Sequence, residues 1–187
     1  ADCYYQLNNF ARSAEIYTNL PVNNTVNFGF YHELKQYHLA YAYFKQAEYK
    51  RASTYFRKFE KLETDSMHLN DTYLRIADCF FMNKEYSLSE KYYEKAIAYS
   101  LFDVDYAIYK RSVSLGLLSE NNTKVKLLKQ LTSDFLNSIY YDNAIYDLAR
   151  YYKNTFKNDL ALSYYEKLLS ETKDEQFIAD AHLSKGM

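Results

Sequence analysis

The sequence predicts an all-α protein built from repeated helical hairpins, and three observations support this. The chain of 187 residues contains only 3 Gly and 1 Pro, so it lacks the turn residues that sheets, barrels and sandwiches require. Apolar residues recur at three- and four-residue steps, which places them on one face of a helix. Residue types also repeat along the chain every 35 to 39 residues, which is typical of a solenoid.

The repeat is defined by equivalent positions that keep the same register. One set of large residues is separated by 39, 37, 35 and 37 positions: Tyr4, Tyr43, Phe80, Leu115 and Tyr152. A second large set has the same spacings: Tyr17, Phe56, Tyr93, Leu128 and Tyr165. Two sets of small residues follow the same register: Ala40, Ala77, Ser112 and Ala149, and Ser13, Ala52, Ser89 and Ala161. A small residue lets two helices approach while a large one fills the adjacent space, so each interval predicts a pair of packed helices.

One hairpin cannot bury both of its faces, so neighbouring hairpins must stack on each other. We expect a single solenoid domain over 1–187, with units at roughly 1–27, 28–65, 66–101, 102–137 and 138–174 and a partial unit at 175–187. The first and last units are incomplete, which indicates a fragment of a longer protein. A loop is expected from Pro21 to Asn27, where Pro and clustered Asn separate two helices.

The pattern resembles the tetratricopeptide repeat (TPR) family along the whole chain. The second unit carries the resemblance through Leu39, Ala40, Tyr43, Ala52 and Phe56, and the fifth through Ile145, Leu148, Ala149, Tyr152, Ala161 and Tyr165. The fourth unit departs from the family, because Arg111 replaces the usual Leu and Lys124 the usual Ala. We expect its two helices to pack more loosely or to cross at a shifted angle. The resemblance implies a right-handed α–α superhelix of about five hairpins.

Charge and hydropathy exclude several kinds of partner. The chain has 23 Lys and Arg against 24 Asp and Glu, so no broad positive field attracts nucleic acid or anionic lipid. Helical repeats that read RNA need a basic groove, which this composition does not favour. No apolar run approaches the roughly 18 residues that span a bilayer. We therefore expect neither a nucleic-acid partner nor direct membrane insertion.

The residues that usually carry chemistry form no convergent set. The 4 His are scattered, and no metal-ligand spacing, phosphate loop or nucleophile motif is present. Cys3 and Cys79 are equivalent residues two repeats apart, beyond the roughly 7 Å reach of a disulfide, so we expect buried unbridged thiols. The sequence thus predicts a non-enzymatic protein without catalytic residues, cofactor or metal.

The resemblance to TPR proteins implies a concave groove lined by the first helix of each hairpin. The positions that flank the packing residues would point into it: Tyr37, Tyr41, Phe44, Leu74, Arg75, Asp78, Phe81, Tyr109, Tyr146, Arg150 and Lys153. The middle of this set is aromatic and its far end is basic. We therefore expect a scaffold that binds a peptide or protein segment, with apolar side chains in the middle and an acidic stretch over Arg150 and Lys153. The Lys and Asn residues with which some TPR domains grip a terminal carboxylate are missing.

Two other functions remain open at this stage. Apolar surface at the incomplete ends favours a self-assembling segment that forms a homo-oligomer. Alternatively, the solenoid is the helper portion of a larger enzyme or envelope-assembly protein. The tyrosine-rich segments KEYSLSEKYYEKAIAYS and NDLALSYYEKLLSE resemble bacterial cell-envelope repeat proteins, which favours a periplasmic or outer-membrane-associated location. The sequence does not specify the partner.

Overall fold

The computed structural model describes residues 1–20, 28–172 and 174–186, with side chains described outside 28–33 and 184–186. The predicted loop from Pro21 to Asn27 lies outside the described residues. Within them the chain forms only helices: α1 Asp2–Gln6, α2 Phe10–Asn19, α3 Phe28–Lys45, α4 Tyr49–Phe59, α5 Ser66–Met82, α6 Tyr86–Tyr99, α7 Val104–Leu117, α8 Asn121–Asp134, α9 Tyr141–Asn154, α10 Asn158–Glu171 and α11 Glu175–Gly186. The all-α prediction is confirmed for this part of the chain.

Consecutive helices pair into hairpins, and the chain divides into two compact units. The first unit, Ala1–Phe102, contains hairpin one (α1 and α2), hairpin two (α3 and α4) and hairpin three (α5 and α6). The second unit, Asp103–Met187, contains hairpin four (α7 and α8), hairpin five (α9 and α10) and the single helix α11. Within each unit the second helix of one hairpin also packs against the first helix of the next. One continuous solenoid over the whole chain stays a prediction.

The turn inside every hairpin has the same backbone geometry. One residue per turn has φ between 58° and 64°, and these residues keep the repeat spacings: Asn8, Ala47, Lys84, Ser119 and Phe156. The amide after each donates to the carbonyl of the first large register set, as Glu48 N does to Tyr43 O (3.0 Å) and Glu85 N to Phe80 O (2.8 Å). This bond closes the helix end as in a Schellman motif. None of these left-handed positions is a glycine.

Burial follows the predicted register in hairpins two to five, except that Tyr43 of hairpin two is only half-buried. The small residues Ala40, Ala77, Ser112 and Ala149 are all 0% exposed, and the second large set is buried throughout. In the first unit one cluster joins hairpins two and three: Ala40, Ala52, Phe56, Ile76, Cys79 and Phe80. The prediction is wrong at two places in hairpin one, where Tyr4 is 40% exposed and Cys3 lies on the surface, because no described helix covers that side of α1.

In hairpin four the large and the small residue of one contact between the two helices have exchanged places. Lys124 occupies the position held by Ala52 and Ser89 in hairpins two and three, while Gly116 occupies that of Phe44 and Phe81. A Cβ built on Gly116 would lie 3.1 Å from Lys124 Cδ, so the lysine stem fills the space that the glycine leaves. The large and small partners of this contact have exchanged helices.

Much of the tyrosine content packs the two helices of a hairpin together. Tyr43 stacks on Tyr55 at 5.5 Å between ring centres, and the equivalent pair Tyr152 and Tyr164 stacks at the same distance. Lys58 Nζ lies 4.5 Å from the centre of the Tyr55 ring, so the outer edge of that stack is covered by a cation. No helix in the described ranges is long and apolar enough to cross a membrane.

Candidate binding site

In the first unit, Asp71 of α5 joins hairpins two and three through two tyrosines. The hydroxyls of Tyr37 and Tyr41, one helical turn apart on α3, both donate to Asp71 Oδ2, at 2.6 and 2.5 Å. The period of the helix brings both hydroxyls to the same side of α3. Asp71 therefore accepts two hydrogen bonds on one oxygen from the neighbouring hairpin.

Arg75 extends this arrangement along α5. Its Nε donates to Asp71 Oδ1 at 3.3 Å, and its Nη1 donates to Asp78 Oδ2 at 2.6 Å. The other oxygen of Asp78 accepts a 2.6 Å bond from the hydroxyl of Tyr93 on α6. We call these six residues the tyrosine–aspartate network: Tyr37, Tyr41, Asp71, Arg75, Asp78 and Tyr93. Each carboxylate oxygen of the network therefore accepts a hydrogen bond from within the network.

The electrostatics of the network keep the tyrosines as donors. Burial raises the pKa of Tyr37 and Tyr41, and the Asp71 charge raises both further because a second negative charge beside it is unfavourable. The side chains of Asp78 and Arg75 are only 9% and 22% exposed. Charge-assisted bonds of this kind are stronger than neutral ones, so the network fixes hairpin two on hairpin three.

The predicted apolar groove residues of this unit lie around the network. Tyr41 contacts Phe44 and Phe56 edge-on, at 6.4 and 5.1 Å between ring centres. Phe81 packs edge-on against Tyr86 at 5.5 Å. Leu74 is 0% exposed, so its side chain belongs to the packing between helices.

In the second unit, the predicted residues lie in two aromatic groups. Tyr109 of α7 stacks on Tyr140 at 5.2 Å, and burial, followed by the charge of Asp147, raises the pKa of Tyr109 to about 12. Tyr146 of α9 contacts Phe177 of α11 at 5.7 Å and Tyr165 of α10 at 6.3 Å.

An arginine covers the second of these groups. Arg150 Cζ lies 5.6 Å from the centre of the Tyr146 ring, and the arginine side chain is exposed. Within the described residues Arg150 forms no ion pair. We call this group the arginine–tyrosine surface: Tyr146, Arg150, Tyr165 and Phe177. Lys153 follows one turn later in the last turn of α9, half-buried.

Sequence reasoning missed several residues that complete these groups. Asp71 and Tyr93 belong to the network, and Tyr140 and Phe177 contact predicted residues. The TPR resemblance predicted as groove residues only those positions that flank the packing residues in the first helix of each hairpin. A signal for Asp71 exists, because it stands four residues before Arg75, a helical ion-pair spacing.

One other surface feature is a shallow depression of about 600 Å³ beside the loop between α8 and α9. Ile139, 81% exposed, lies on its edge. Its charged residues already have partners, since Tyr141 donates to Glu171 at 2.8 Å and Lys167 lies over the Tyr141 ring. The described residues contain no group of three or more side chains that could hold a metal ion.

Comparison with known proteins identifies the class of the repeats. Two tetratricopeptide repeat models match the chain, one at residues 36–66 and one at residues 142–175. These segments overlap hairpins two and five, so the two hairpins are similar in sequence to tetratricopeptide repeats. No curated protein shows significant sequence similarity to the chain.

Solved structures extend the similarity to nearly the whole chain. A crystal structure of MamA matches with a TM-score of 0.73 and 18% identity over 90% of this chain and 92% of that chain. YrrB, described as a TPR protein with an unusual peptide-binding site, matches with a TM-score of 0.75 and 14% identity over 100% of this chain and 88% of its own. BtubC from P. vanneervenii matches with a TM-score of 0.65 and 16% identity over 97% of this chain and 81% of that chain. The predicted fold class is confirmed, and at these identities the similarity establishes the fold alone.

Proposed function

We propose that the protein is a non-enzymatic scaffold that binds a peptide segment of another protein on the first helices of its hairpins. The observation that carries this proposal is the exposed Arg150, which has no ion pair within the described residues and lies over Tyr146 beside Phe177. Arginine and aromatic side chains supply most of the binding energy at protein interfaces. The peptide-binding site of YrrB, which has the same fold, supports the same kind of ligand here.

The two units contribute differently to this function. In the first unit the hydroxyls of Tyr37 and Tyr41 are occupied by Asp71, and their half-buried rings and Phe44 pack against the core, so only the exposed parts of these rings are available for apolar contacts. In the second unit Arg150 adds positive charge over Tyr146, and Lys153 adds a second positive charge in the last turn of the same helix. The first unit therefore favours apolar side chains of a ligand, and the second unit favours an acidic group.

The test is a selection of short random peptides on the full-length chain, followed by affinity measurements with purified variants. Arg150→Gln and Tyr146→Ala should each weaken binding about tenfold or more, the range expected for central contacts. Arg51→Gln is the matched control, because Arg51 also lies over a tyrosine ring, that of Tyr43 at 5.4 Å, but stands on the second helix of a hairpin in the other unit. If no peptide is selected, or if the control weakens binding equally, the proposal is wrong.

Self-association is a second candidate function. It is favoured by exposed apolar side chains on the terminal helices of the structure, since Leu183 of α11 is 64% exposed and Tyr4 of α1 is 40% exposed. Light scattering over a range of concentrations tests it. A dimer or larger species that Leu183→Lys converts to a monomer would support this function, whereas a monomer at every concentration would exclude it.

A bacterial cell-envelope location is a separate proposal, supported only by the resemblance of the tyrosine-rich second helices. Fractionation of the source cells with an antibody against the chain tests it. Recovery in the cytoplasmic fraction alone would contradict this proposal without affecting the proposed binding function.

A further inference from the structure

Hairpins three and five carry the same buried tyrosine, but among the described residues only one of the two hydroxyls has a hydrogen-bond partner. A shift of 72 residues relates these hairpins, so Tyr93 is equivalent to Tyr165. The Tyr93 hydroxyl donates to Asp78 at 2.6 Å. Tyr165 is 2% exposed, and its hydroxyl has no hydrogen-bond partner among the described residues. Buried polar groups are nearly always hydrogen-bonded, so this hydroxyl needs an explanation.

The same shift explains why Tyr165 lacks its acceptor. Asp78 is replaced in hairpin five by Arg150, and Arg75 is replaced by Asp147. In hairpin three the Asp78 carboxylate lies between a tyrosine hydroxyl and the Arg75 guanidinium, with 2.6 Å bonds to both. Hairpin five retains the tyrosine hydroxyl, but a guanidinium stands at the position of its acceptor carboxylate and the carboxylate of Asp147 stands one turn earlier.

The groups around this position are suited to supply the other contacts of a ligand. Arg150 is exposed, so its guanidinium is free to turn from the Tyr146 ring towards an incoming anion. Phe177 and Tyr146 offer aromatic faces on the same surface. Asp147 and Asp180 add negative charge near Tyr146, which disfavours a long acidic run and favours a single carboxylate.

We propose that the Tyr165 hydroxyl and the Arg150 guanidinium together bind one side-chain carboxylate, from an Asp or Glu of the partner peptide. In the complex this carboxylate takes the role that Asp78 has in hairpin three, and an adjacent apolar side chain of the peptide packs on Phe177. Carboxylates bound by a hydroxyl and an arginine form strong charge-assisted bonds. This inference rests on the proposed function and specifies its ligand chemistry.

The experiment uses peptides selected on the full-length chain and resynthesised with an amidated C-terminus, so that only side chains supply carboxylates. Each Asp or Glu of the best peptide is replaced by Asn or Gln, and affinities are measured for wild type, Tyr165→Phe and Arg150→Gln. One replacement should weaken binding to wild type about tenfold or more, and should weaken binding to Tyr165→Phe less, because only the bond to Arg150 is then lost. A double-mutant cycle then gives the coupling between the hydroxyl and the carboxylate. Thermal unfolding of each variant confirms that it is folded.

The outcomes separate this inference from the proposed function. If peptides bind through Arg150 but every acidic replacement acts equally on wild type and Tyr165→Phe, the hydroxyl is satisfied by water and the inference is overturned, while the scaffold function stands. If binding requires a free C-terminal carboxylate, the inference is also overturned. If no peptide binds, both proposals are wrong.

Discussion

At the scale of single residues, Tyr93 and Tyr165 offer a matched pair, because the same change should have different consequences. Tyr93→Phe removes the hydrogen bond to Asp78, so we expect the free energy of unfolding to fall by roughly 1.5–3 kcal/mol. Tyr165→Phe removes a hydroxyl without a partner among the described residues, and should change stability by less than about 0.5 kcal/mol or increase it. Chemical denaturation of both variants measures this. Equal destabilisation would show that the Tyr165 hydroxyl has an acceptor in the free protein.

The left-handed residue in each hairpin turn gives a second prediction. The backbone of Ala47 has φ 58°. Its side chain is exposed, so the methyl group can be removed without loss of buried packing. Ala47→Gly should raise the free energy of unfolding by about 0.5–1 kcal/mol, because glycine adopts positive φ at little cost. The control is Ala98→Gly, an exposed position in α6 of the same unit, which should lower it by about 0.5–1 kcal/mol. The same sign for both changes would contradict the argument.

His38 makes the stability of the first unit depend on pH. It stacks on Tyr17 at 5.4 Å, and burial lowers its pKa, partly offset by the charge of Asp2. The unfolded chain therefore binds more protons than the folded chain below about pH 6.5, so stability should decrease as the pH falls through this value towards the lower pKa of the folded state.

The measurement is the free energy of unfolding from about pH 7.5 to about pH 5.5. His38→Phe keeps a ring beside Tyr17 and should flatten this dependence. His182→Gln changes an exposed histidine of α11 and should leave it unaltered. If the free energy of unfolding of His38→Phe still depended on pH in the same way, another titratable group would be responsible.

At the scale of the helical element, substitutions in hairpin four test whether the effects of Gly116 and Lys124 on stability depend on each other. Gly116→Phe alone should destabilise by about 1–3 kcal/mol, because the ring would overlap the Lys124 stem. Lys124→Ala alone leaves a gap beside Gly116 and is also unfavourable. Together they recreate the arrangement of Phe44 and Ala52, so the double variant should recover most of the stability. Additive losses in the double-mutant cycle would refute the coupling.

At the scale of the whole molecule, the two compact units should respond separately to a local change. Asp71→Asn removes the charge that joins Tyr37, Tyr41 and Arg75 in the first unit. In a repeat protein each unit is stabilised by itself and by its neighbours, so amide hydrogen exchange should accelerate in α3 to α6 more than in α9 to α11. Equal acceleration in all helices would indicate a single cooperative unit over 1–187.

Sequence reasoning reached the fold in more detail than the site. The register predicted which small residues are buried, and the carbonyls of Tyr43 and Phe80 in its first large set close their hairpin turns in the structure. It failed at Tyr4, where burial depends on a neighbouring helix. For the site, it selected Tyr37, Tyr41, Arg75 and Asp78 as residues of a common surface. Their mutual bonds through Asp71 did not follow from the pattern.

The sequence by itself determined the helices, their pairing and their repeat, because these follow from local periodicity and from small and large residues at fixed intervals. Only the tertiary structure decided which polar groups are satisfied internally. Tyr93 and Tyr165 look alike in the sequence, yet only Tyr93 donates to a carboxylate. A hydrogen bond requires its atoms within about 3 Å, and that distance depends on how separate helices pack, which periodicity does not specify.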